Sequence, residues 1–301
     1  MIAASPSMPL GELLRRPECF GAATAITGIE LDSRKVTAGD LFLAVPGEAH
    51  DGRQFIEQAV ANGASAVVAE PPVAGFVDAL AVPLLEVPEL QQESGWLASR
   101  LYGEPSQDLH MIGVTGTNGK TTTARLVAQL GRLLGKRCGV IGTLGCSLSD
   151  EVSQGSNTTP DAVSLQRQLA NWRDDNVFAV SMEVSSHAVV QGRVNGVEFE
   201  TAVFTNLSHD HLDYHGSMES YGRAKLGLFT TEGLKHALVN LDDEFTARII
   251  EAVEQDVTVL TYSVSNPAAD IYVTAPVFST RGVHATLHTP CLLYTSPSPR
   301  D

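Results

Sequence analysis

Short apolar runs alternate with amphipathic segments along most of this chain. Runs that stop at Gly or Pro predict strands, and apolar positions three and four residues apart predict helices. In the first hundred residues this pattern predicts strands over 40–45, 66–69 and 82–87, and helices over 55–62 and 90–101. These elements predict a small N-terminal α/β domain of residues 1–105, with a linker at Gly103–Ser106.

The alternation continues beyond the linker, over a predicted central domain of residues 106–290. Strands are predicted over 109–114, 139–144, 178–184, 201–205 and 237–240, and helices over 162–172, 225–229 and 244–253. A further helix is predicted after residue 120 from apolar residues at three- and four-residue steps, which are Ala124, Leu126, Val127, Leu130, Leu133 and Leu134. After Val257 the pattern becomes strand-like. Such alternation is typical of a mostly parallel sheet with helices on both faces.

The last eleven residues, 291–301, break the pattern. Cys-Leu-Leu-Tyr-Thr-Ser-Pro-Ser-Pro-Arg-Asp has no periodicity and lies where a domain should continue. It resembles the translation of a sequencing adapter, so we expect a non-native tail and an incomplete central domain. A genuine disordered tail is the alternative.

Composition narrows the functional class. A net charge of −15 argues against a nucleic-acid partner and against anionic membranes. No apolar run is long enough to span a bilayer, and the N-terminus lacks the pattern of an export signal. The four cysteines lack paired metal spacing, which favours a reduced, cytoplasmic protein.

The segment Gly113–Thr122 joins a predicted strand to a predicted helix and reads Gly-Val-Thr-Gly-Thr-Asn-Gly-Lys-Thr-Thr. Its glycines let backbone N–H groups turn toward an anion, and the helix N-terminus adds partial positive charge. Lys120 would neutralise the outer phosphates of a nucleotide, and the Thr121 hydroxyl would hold Mg²⁺. Val114 stands where the strict phosphate-loop pattern has Gly, so this is a shortened variant. A plain glycine turn is the alternative.

Two further segments follow predicted strands, where ligands of parallel sheets gather. Glu183 closes the strand over 178–184 and could bind Mg²⁺ or cap the next helix. The segment 205–216 reads Thr-Asn-Leu-Ser-His-Asp-His-Leu-Asp-Tyr-His-Gly, which indicates metal or phosphate chemistry or a plain polar loop. A metallo-β-lactamase motif fails on spacing, because Tyr214 occupies the position of its last His.

Two other features are ambiguous by themselves. Asn157-Thr158-Thr159-Pro160 precedes a predicted helix and alone indicates a helix cap, although it could bind a sugar or phosphate. Lys225 has apolar neighbours on a helical segment and alone reads as a solvated surface lysine.

Together these motifs resemble the Mur ligase family, which adds amino acids to the peptidoglycan precursor. The resemblance covers residues from about 31 to 241, and four motifs occur in the family's order. They are Thr-Gly-Thr-Asn-Gly-Lys-Thr-Thr at 115–122, Asn-Thr-Thr-Pro at 157–160, Met-Glu-Val-Ser-Ser-His at 182–187 and Thr-Asn-Leu-Ser-His-Asp-His-Leu-Asp-Tyr-His-Gly at 205–216. Leu-Asp-Ser-Arg at 31–34, Asp-Gly-Arg at 51–53 and the last two motifs are most similar to the members that add the third amino acid. The resemblance implies a P-loop-type central sheet. It also implies an ATP-dependent ligase that joins meso-diaminopimelate or L-lysine to UDP-N-acetylmuramoyl-L-Ala-D-Glu through an acyl phosphate.

The resemblance also assigns roles to residues. It implies that Lys120, Lys225 and His211 are catalytic and that Lys225 is carbamylated. The implied ATP-binding residues are Gly116, Thr117, Asn118, Gly119, Lys120, Thr121 and Thr122. The implied Mg²⁺ ligands are Thr121, Glu183, His211 and Lys225. The implied substrate-binding residues are Leu31, Ser33, His50, Asp51, Gly52, Asn157, Thr158, Thr159, Ser185, Gln191 and Arg193.

The resemblance leaves alternatives open. The family has a third domain that recognises the incoming amino acid, and this chain lacks its Asp-Asn-Pro-Arg motif. We therefore expect the polypeptide to be inactive alone, as a monomer whose partners are UDP-N-acetylmuramoyl-dipeptide and an amino acid. A folylpolyglutamate synthase-like ligase, an unrelated P-loop NTPase and a non-catalytic UDP-sugar-binding fragment are the other hypotheses.

Overall fold

The computed structural model describes residues 6–47, 50–76, 80–148, 152–153, 158–280, 282–290 and 293–296. The chain divides into two compact units. The first contains Met1–Leu109, Thr159–Phe178 and His187–Val197, and the second contains His110–Thr158, Ala179–Ser186 and Glu198–Asp301. Two stretches of the predicted central domain thus cluster with the N-terminal residues. The predicted boundaries at 105, 106 and 290 stay predictions.

The first hundred residues form short strands and helices. In chain order these are β1 (Met8–Pro9), α1 (Leu10–Leu13), β2 (Ala25–Ile26), β3 (Gly28–Glu30), β4 (Asp40–Ala44), α2 (Ile56–Ala61), β5 (Ala66–Ala69), β6 (Leu84–Glu86) and α3 (Leu90–Leu101). Strands β3, β4, β5 and β6 form a parallel sheet in that order. The short strands β1 and β2 pair antiparallel.

The core of the first unit lies on both faces of this sheet. Leu41 and Leu43 point to one face, where they pack with apolar residues of α3. Phe42 and Ala44 point to the other face, where they pack with Ile56 of α2. A strand that is buried on both faces needs apolar residues at every position. This explains why residues 41–44 of β4 read as a continuous apolar run rather than an alternating one.

The remaining elements begin at residue 110. They are β7 (His110–Thr115), α4 (Lys120–Leu133), β8 (Cys138–Gly142), β9 (Gly145–Ser147), β10 (Val152–Ser153), α5 (Ala162–Asp174), β11 (Ala179–Glu183), α6 (Ser186–Val190), β12 (Thr201–Phe204), α7 (Leu212–His215), α8 (Met218–Leu226), β13 (His236–Asn240), α9 (Thr246–Ala252), β14 (Thr258–Ser263), β15 (Ile271–Ser279), β16 (Gly282–His288) and β17 (Leu293–Ser296). Helix α5 packs against α3 within the first unit.

One large sheet organises the second unit. Within the described residues its strand order is β10-β9-β8-β11-β7-β12-β13-β14-β15-β16-β17. The strands from β8 to β15 in this order run parallel, and antiparallel pairing extends the sheet through β9 at one edge and through β16 at the other. The carboxyl ends of β7, β11 and β12 therefore lie side by side. The fold-class prediction of a mostly parallel, P-loop-type sheet is confirmed.

The tail region is only partly described. Residues 293–296 form β17, which pairs antiparallel with β16. Residues 291–292 and 297–301 lie outside the described residues. The interpretation of 291–301 as non-native stays a prediction.

Helix α4 packs on the sheet through small residues. Ala124 and Ala128 are buried against Val114 and Val140. The leucines whose spacing predicted the helix lie on its other side, with Leu126 52%, Leu130 60% and Leu133 77% exposed. The helix prediction is confirmed, but these leucines are not its packing face within the described residues. None of the described helices has the length and apolar character that crossing a bilayer requires.

Candidate active site

The predicted phosphate loop connects β7 to α4. Strand β7 ends at Thr115, and α4 begins at Lys120. Gly116 and Gly119 have φ angles of +143° and +86°, which a side chain would strain. A Cβ at Gly116 would also lie 1.9 Å from Thr205 Oγ1. Gly116 is therefore required by both backbone conformation and close packing, and Gly119 by its backbone conformation.

The loop is held by the residues that follow β12. The Asn206 carbonyl accepts from Thr117 N at 2.8 Å, and Asn206 Oδ1 accepts from Asn118 N at 3.1 Å. Asn206 Nδ2 and Thr205 Oγ1 donate to the Asn118 carbonyl at 3.0 and 2.7 Å. The N–H groups of Thr117 and Asn118 are thus engaged inside the protein. The N–H groups in the first turn of α4 have no preceding helical turn, and N–H groups at such a helix N-terminus can bind an anion.

Two lysines converge on one carbonyl oxygen of this loop. Lys120 Nζ donates to the carbonyls of Gly116 and Thr117 at 2.9 and 2.8 Å. Lys225 Nζ, from α8, donates to the same Gly116 carbonyl at 2.8 Å. The Nζ atoms of two lysines therefore lie within hydrogen-bonding distance of one oxygen.

Burial changes the acid–base behaviour of both lysines. Lys225 is 1% exposed, in contrast to the surface position its isolated sequence context indicates. Desolvation, followed by the charge of Lys120, lowers the pKa of Lys225 to about 7, while Asp210 opposes this. Desolvation also lowers the pKa of Lys120, against the carboxylates of Glu183 and Asp210. Lys225 is therefore a neutral amine for a substantial fraction of the time near pH 7.

Glu183 is the last residue of β11 and is 1% exposed. Its Oε2 accepts from the Thr121 hydroxyl at 2.9 Å, and its Oε1 accepts from Thr143 N at 2.8 Å. The hydroxyl of Thr143 lies 3.3 Å from Glu183 Oε2 and 3.1 Å from Thr158 Oγ1. A carboxylate beside a hydroxyl, next to the predicted phosphate loop, is a donor set that suits Mg²⁺.

The position of Glu183 depends on a glycine in the neighbouring strand. A Cβ at Gly142, the last residue of β8, would lie 2.0 Å from Glu183 Oε1. We predict that Gly142→Ala displaces the carboxylate and lowers the affinity for ATP measured with Mg²⁺ by about tenfold, with about 1–3 kcal/mol of destabilisation from overpacking. Calorimetric titration and thermal unfolding measure the two effects.

A control separates the loss of stability from the loss of Glu183. Val140→Ala removes a buried side chain from the same strand and should cost about 1–3 kcal/mol through a cavity. It leaves the space at Gly142 unchanged, so it should not alter ATP affinity. Equal affinity losses in the two variants would contradict the role of Gly142.

The histidine-rich segment 205–216, which follows β12, lies at the edge of this site. His211 directly precedes α7 as its N-cap residue, with a φ of +51°, and its ring nitrogen Nε2 lies 3.5 Å from Asp210 Oδ2. His215 Nε2 lies 2.9 Å from the Ser186 hydroxyl. Among the described residues, no three His, Cys, Asp or Glu side chains lie close enough together to hold a metal ion. The role of His211 as an Mg²⁺ ligand stays a prediction.

Three of the predicted substrate residues lie beside α5 and α6: Thr158 and Thr159 precede α5, and Arg193 follows α6. Asn157 lies outside the described residues. Helix α5 is capped by Asp161, whose carboxylate accepts from Ser164 N at 2.8 Å, so the cap does not come from Thr158 or Thr159. Within the first unit, Arg193 Nη1 donates to the Thr159 carbonyl at 3.2 Å.

Two predicted residues lie near α6. Ser185 directly follows β11, in the segment that leads into the helix. Gln191 follows α6, and its carbonyl accepts from Gln91 Nε2 at 3.3 Å. Their roles in binding substrate stay predictions.

The other predicted substrate residues follow β3 and β4 in the first unit. Ser33 is buried and donates to Gln58 Oε1 at 2.9 Å, and Leu31 packs against the core. The second group, His50 to Gly52, follows β4. Asp51 pairs with Arg53 at 2.7 Å, and Gly52 N donates to the Val45 carbonyl at 2.9 Å. Both groups thus lie at the carboxyl ends of neighbouring parallel strands, where ligands of such sheets bind.

Sequence reasoning missed three residues that organise the site. Thr143 holds Glu183, Asn206 holds the phosphate loop, and Tyr221 contacts both Lys225 and Thr117. For two of these residues, the position in the chain could have indicated a role. Asn206 follows β12, which is a neighbour of β7, and Thr143 follows β8. Tyr221 precedes Lys225 by one helical turn.

Comparisons with known proteins agree with this architecture. Residues 114–295 match the model of the Mur ligase middle domain, and residues 25–102 match that of the Mur ligase family, catalytic domain. A protein of Ectopseudomonas mendocina (strain ymp), named UDP-N-acetylmuramoyl-L-alanyl-D-glutamate--2,6-diaminopimelate ligase, is 48% identical over 94% of this chain and 57% of its own length. The chain thus spans little more than half of that relative.

Solved structures give the same picture. A structure of UDP-N-acetylmuramoyl-L-alanyl-D-glutamate--2,6-diaminopimelate ligase matches with a TM-score of 0.85 and 34% identity, over 97% of this chain and 60% of that one. Mycobacterium tuberculosis folylpolyglutamate synthase is less similar, with a TM-score of 0.56 and 19% identity over 68% of this chain and 53% of its own. The latter likeness concerns the fold alone. Because the middle-domain model matches more than half of the residues, the chain belongs to the Mur ligase family.

Proposed function

We propose that this chain is the nucleotide-binding part of an ATP-dependent ligase of peptidoglycan synthesis. The ligase joins 2,6-diaminopimelate to UDP-N-acetylmuramoyl-L-Ala-D-Glu. The convergence of Lys120 and Lys225 on the Gly116 carbonyl, beside the buried Glu183, carries the proposal. The name of the relative at 48% identity favours diaminopimelate over L-lysine.

ATP is proposed to bind at the phosphate loop. The first turn of α4 offers backbone N–H groups and the positive end of the helix dipole to the phosphates. Lys120 would exchange its contacts with the loop carbonyls for contacts with phosphate oxygens. These local charges are needed because the chain as a whole carries a net charge of −15.

Mg²⁺ fits the donor set beside this loop. The Thr121 hydroxyl donates its proton to Glu183, so its oxygen lone pairs point elsewhere, as a metal ligand requires. Mg²⁺ in nucleotide sites takes one or two protein ligands together with phosphate oxygens and water. Thr121 and Glu183 would hold it, with His211 and Lys225 as further proposed ligands. The bound ion would neutralise charge on the transferred phosphoryl group.

Lys225 is proposed to act as a carbamate. Its ammonium form would first lose a proton. The neutral amine would then react with CO₂, forming a bond from Nζ to carbon and releasing a second proton, so that overall a cation becomes an anion. The lowered pKa of about 7 supports this, because only the neutral amine reacts. The resulting carboxylate oxygens would suit Mg²⁺ better than an ammonium group.

The proposed reaction has two steps. A substrate carboxylate oxygen attacks the γ-phosphorus of ATP, and ADP leaves, which gives an acyl phosphate. The amine of diaminopimelate then attacks the acyl carbon, phosphate leaves, and the nitrogen loses a proton. Lys120 would hold the phosphoryl oxygens in line and offset their charge during both steps. Positioning and charge neutralisation account for most of the rate in such transfers.

A ligation assay tests the proposal. The protein that carries this chain, at the length of its relatives, is incubated with ATP, Mg²⁺, the UDP-dipeptide and either diaminopimelate or lysine. We expect a diaminopimelate tripeptide product, with one ADP for each peptide bond. Folate with glutamate serves as the parallel substrate pair. Turnover of folate, or no product with either diamino acid, would contradict the proposed function.

A further inference from the structure

Tyr221 joins the site lysine to the phosphate loop. It lies on α8 and is 1% exposed. Its hydroxyl oxygen lies 3.2 Å from Thr117 Oγ1, and Lys225 Nζ lies 4.2 Å from the centre of its ring. Lys225 itself donates to the Gly116 carbonyl at 2.8 Å. Tyr221 and Lys225 are one helical turn apart, so one face of α8 contacts two consecutive loop residues.

The hydroxyl of Tyr221 completes the bonding of Thr117. Thr117 Oγ1 accepts from Ser208 N at 2.9 Å and lies 3.3 Å from the Ser208 carbonyl oxygen. A hydroxyl donates once and accepts up to twice. If Thr117 donates to the Ser208 carbonyl, its second acceptor position is filled by the hydroxyl proton of Tyr221. Three elements then meet at Thr117: the loop, the segment after β12, and α8.

The ring of Tyr221 limits where the end of Lys225 can lie. An aromatic face is negative and attracts an ammonium group above it. The same face repels carboxylate oxygens, so a carbamate on Nζ would extend away from the ring. The ring is itself packed against His215 and His211, with ring centres 5.1 and 5.9 Å away. These contacts hold the ring in one orientation.

We propose that Tyr221 is a positioning residue of this site. Its ring sets the direction in which the end of Lys225 extends, and its hydroxyl fixes Thr117 of the phosphate loop. The inference rests on the proposed function, since it assumes that the loop binds ATP and that Lys225 carries a carbamate. It adds Tyr221 as the residue that connects the phosphate loop to the carbamate of Lys225 through α8.

Two substitutions separate the hydroxyl from the ring. Tyr221→Phe removes the bond to Thr117 and keeps the ring, so we expect the Kd for ATP with Mg²⁺ to rise about fivefold. In ¹³C NMR with labelled bicarbonate, this variant should keep a single carbamate signal like that of the wild type. Tyr221→Leu also removes the ring, so its carbamate signal should shift or broaden as the group samples several orientations. The signal is assigned by its loss in Lys225→Ala.

Tyr262→Phe is the matched control, because Tyr262 is a largely buried tyrosine whose hydroxyl donates to the Phe204 carbonyl at 2.9 Å. This variant should change neither the Kd for ATP with Mg²⁺ nor the carbamate signal. Thermal unfolding of every variant shows whether it is folded, and Tyr221→Phe decides the question if Tyr221→Leu does not fold.

Three outcomes overturn the inference. The first is a Kd for ATP in Tyr221→Phe that stays within twofold of the wild type. The second is a wild-type carbamate signal in Tyr221→Leu. The third is a change in either readout in Tyr262→Phe as large as that in the corresponding Tyr221 variant. A wild-type chain that neither binds ATP nor gives a Lys225-dependent signal would instead refute the proposed function, and this inference with it.

Discussion

Replacing Lys225 with Ala should reduce ligation by about 10²- to 10³-fold, the range expected when one charge-stabilising group of a transfer site is lost. The assay is ADP release in the protein at the length of its relatives. The side chain is buried, donates to the Gly116 carbonyl, and would supply an anion to Mg²⁺ once carbamylated. Added formate or acetate should restore part of the activity to Lys225→Ala, because a small carboxylate can enter the space left by the side chain.

Two further variants test what kind of charge is needed. Lys225→Arg keeps a cation but does not form the carbamate, so it should be as inactive as Lys225→Ala and should not respond to bicarbonate. Lys235→Ala removes a mostly exposed lysine from the same unit and should keep full activity. High activity in Lys225→Arg would show that a cation suffices, and the carbamate proposal would fail.

The local features of this site were predictable from the sequence. Gly116 and Gly119 adopt backbone angles that favour glycine, so the loop is encoded in a few consecutive residues. Glu183 ends an apolar run, and the end of a parallel strand is where ligands bind. The parallel sheet followed from the alternation of strand and helix patterns. In each case the signal lies within one element and its neighbouring turn.

The contacts between distant segments were not predictable in the same way. Asn206 contacts Asn118 across 88 positions of the chain, and Tyr221 contacts Thr117 across 104. A polar residue after a strand has many possible partners, and only the order of strands in the sheet selects one. Lys225 illustrates the consequence. Its apolar neighbours indicated a surface helix, whereas the fold buries its ammonium group against the phosphate loop.

The sequence pattern also failed to predict the shortest strands and the buried face of a helix. Strands β1 and β2 have two residues each, which is too short for any periodicity to be visible. On α4, the leucine spacing correctly predicted a helix but not its buried face. The sheet is contacted by Ala124 and Ala128, whose small side chains allow the helix to approach closely, while Leu126 and Leu130 remain more than half exposed.

Replacing Lys120 with Ala should produce the largest loss of nucleotide binding. A unit charge 4 Å from another contributes about 4 kcal/mol at the effective dielectric constant of a protein surface, which corresponds to about 10³-fold in affinity. Solvation of the phosphates reduces this, so we expect the Kd for ATP with Mg²⁺ to rise by about 10²-fold or more. The carboxylates of Glu183 and Asp210 lie close enough to Lys120 for their charges to oppose the lowering of its pKa. Without the charge of Lys120 to offset them, they would repel the phosphates. Ligation in the longer protein should be abolished.

The fold should survive this change, because Lys120 Nζ donates to carbonyls of its own loop and, among the described residues, Lys120 is not a member of the buried apolar cluster around α4. Thermal unfolding of Lys120→Ala should therefore stay close to that of the wild type. Lys225→Ala is an informative comparison, since the proposed carbamate serves the metal and not the phosphates directly. Its ATP affinity should fall by less than about fivefold, roughly 1 kcal/mol. Titration calorimetry on the 301-residue chain measures both values. If Lys120→Ala binds ATP as tightly as Lys225→Ala does, Lys120 does not contact the nucleotide phosphates and the loop assignment is wrong.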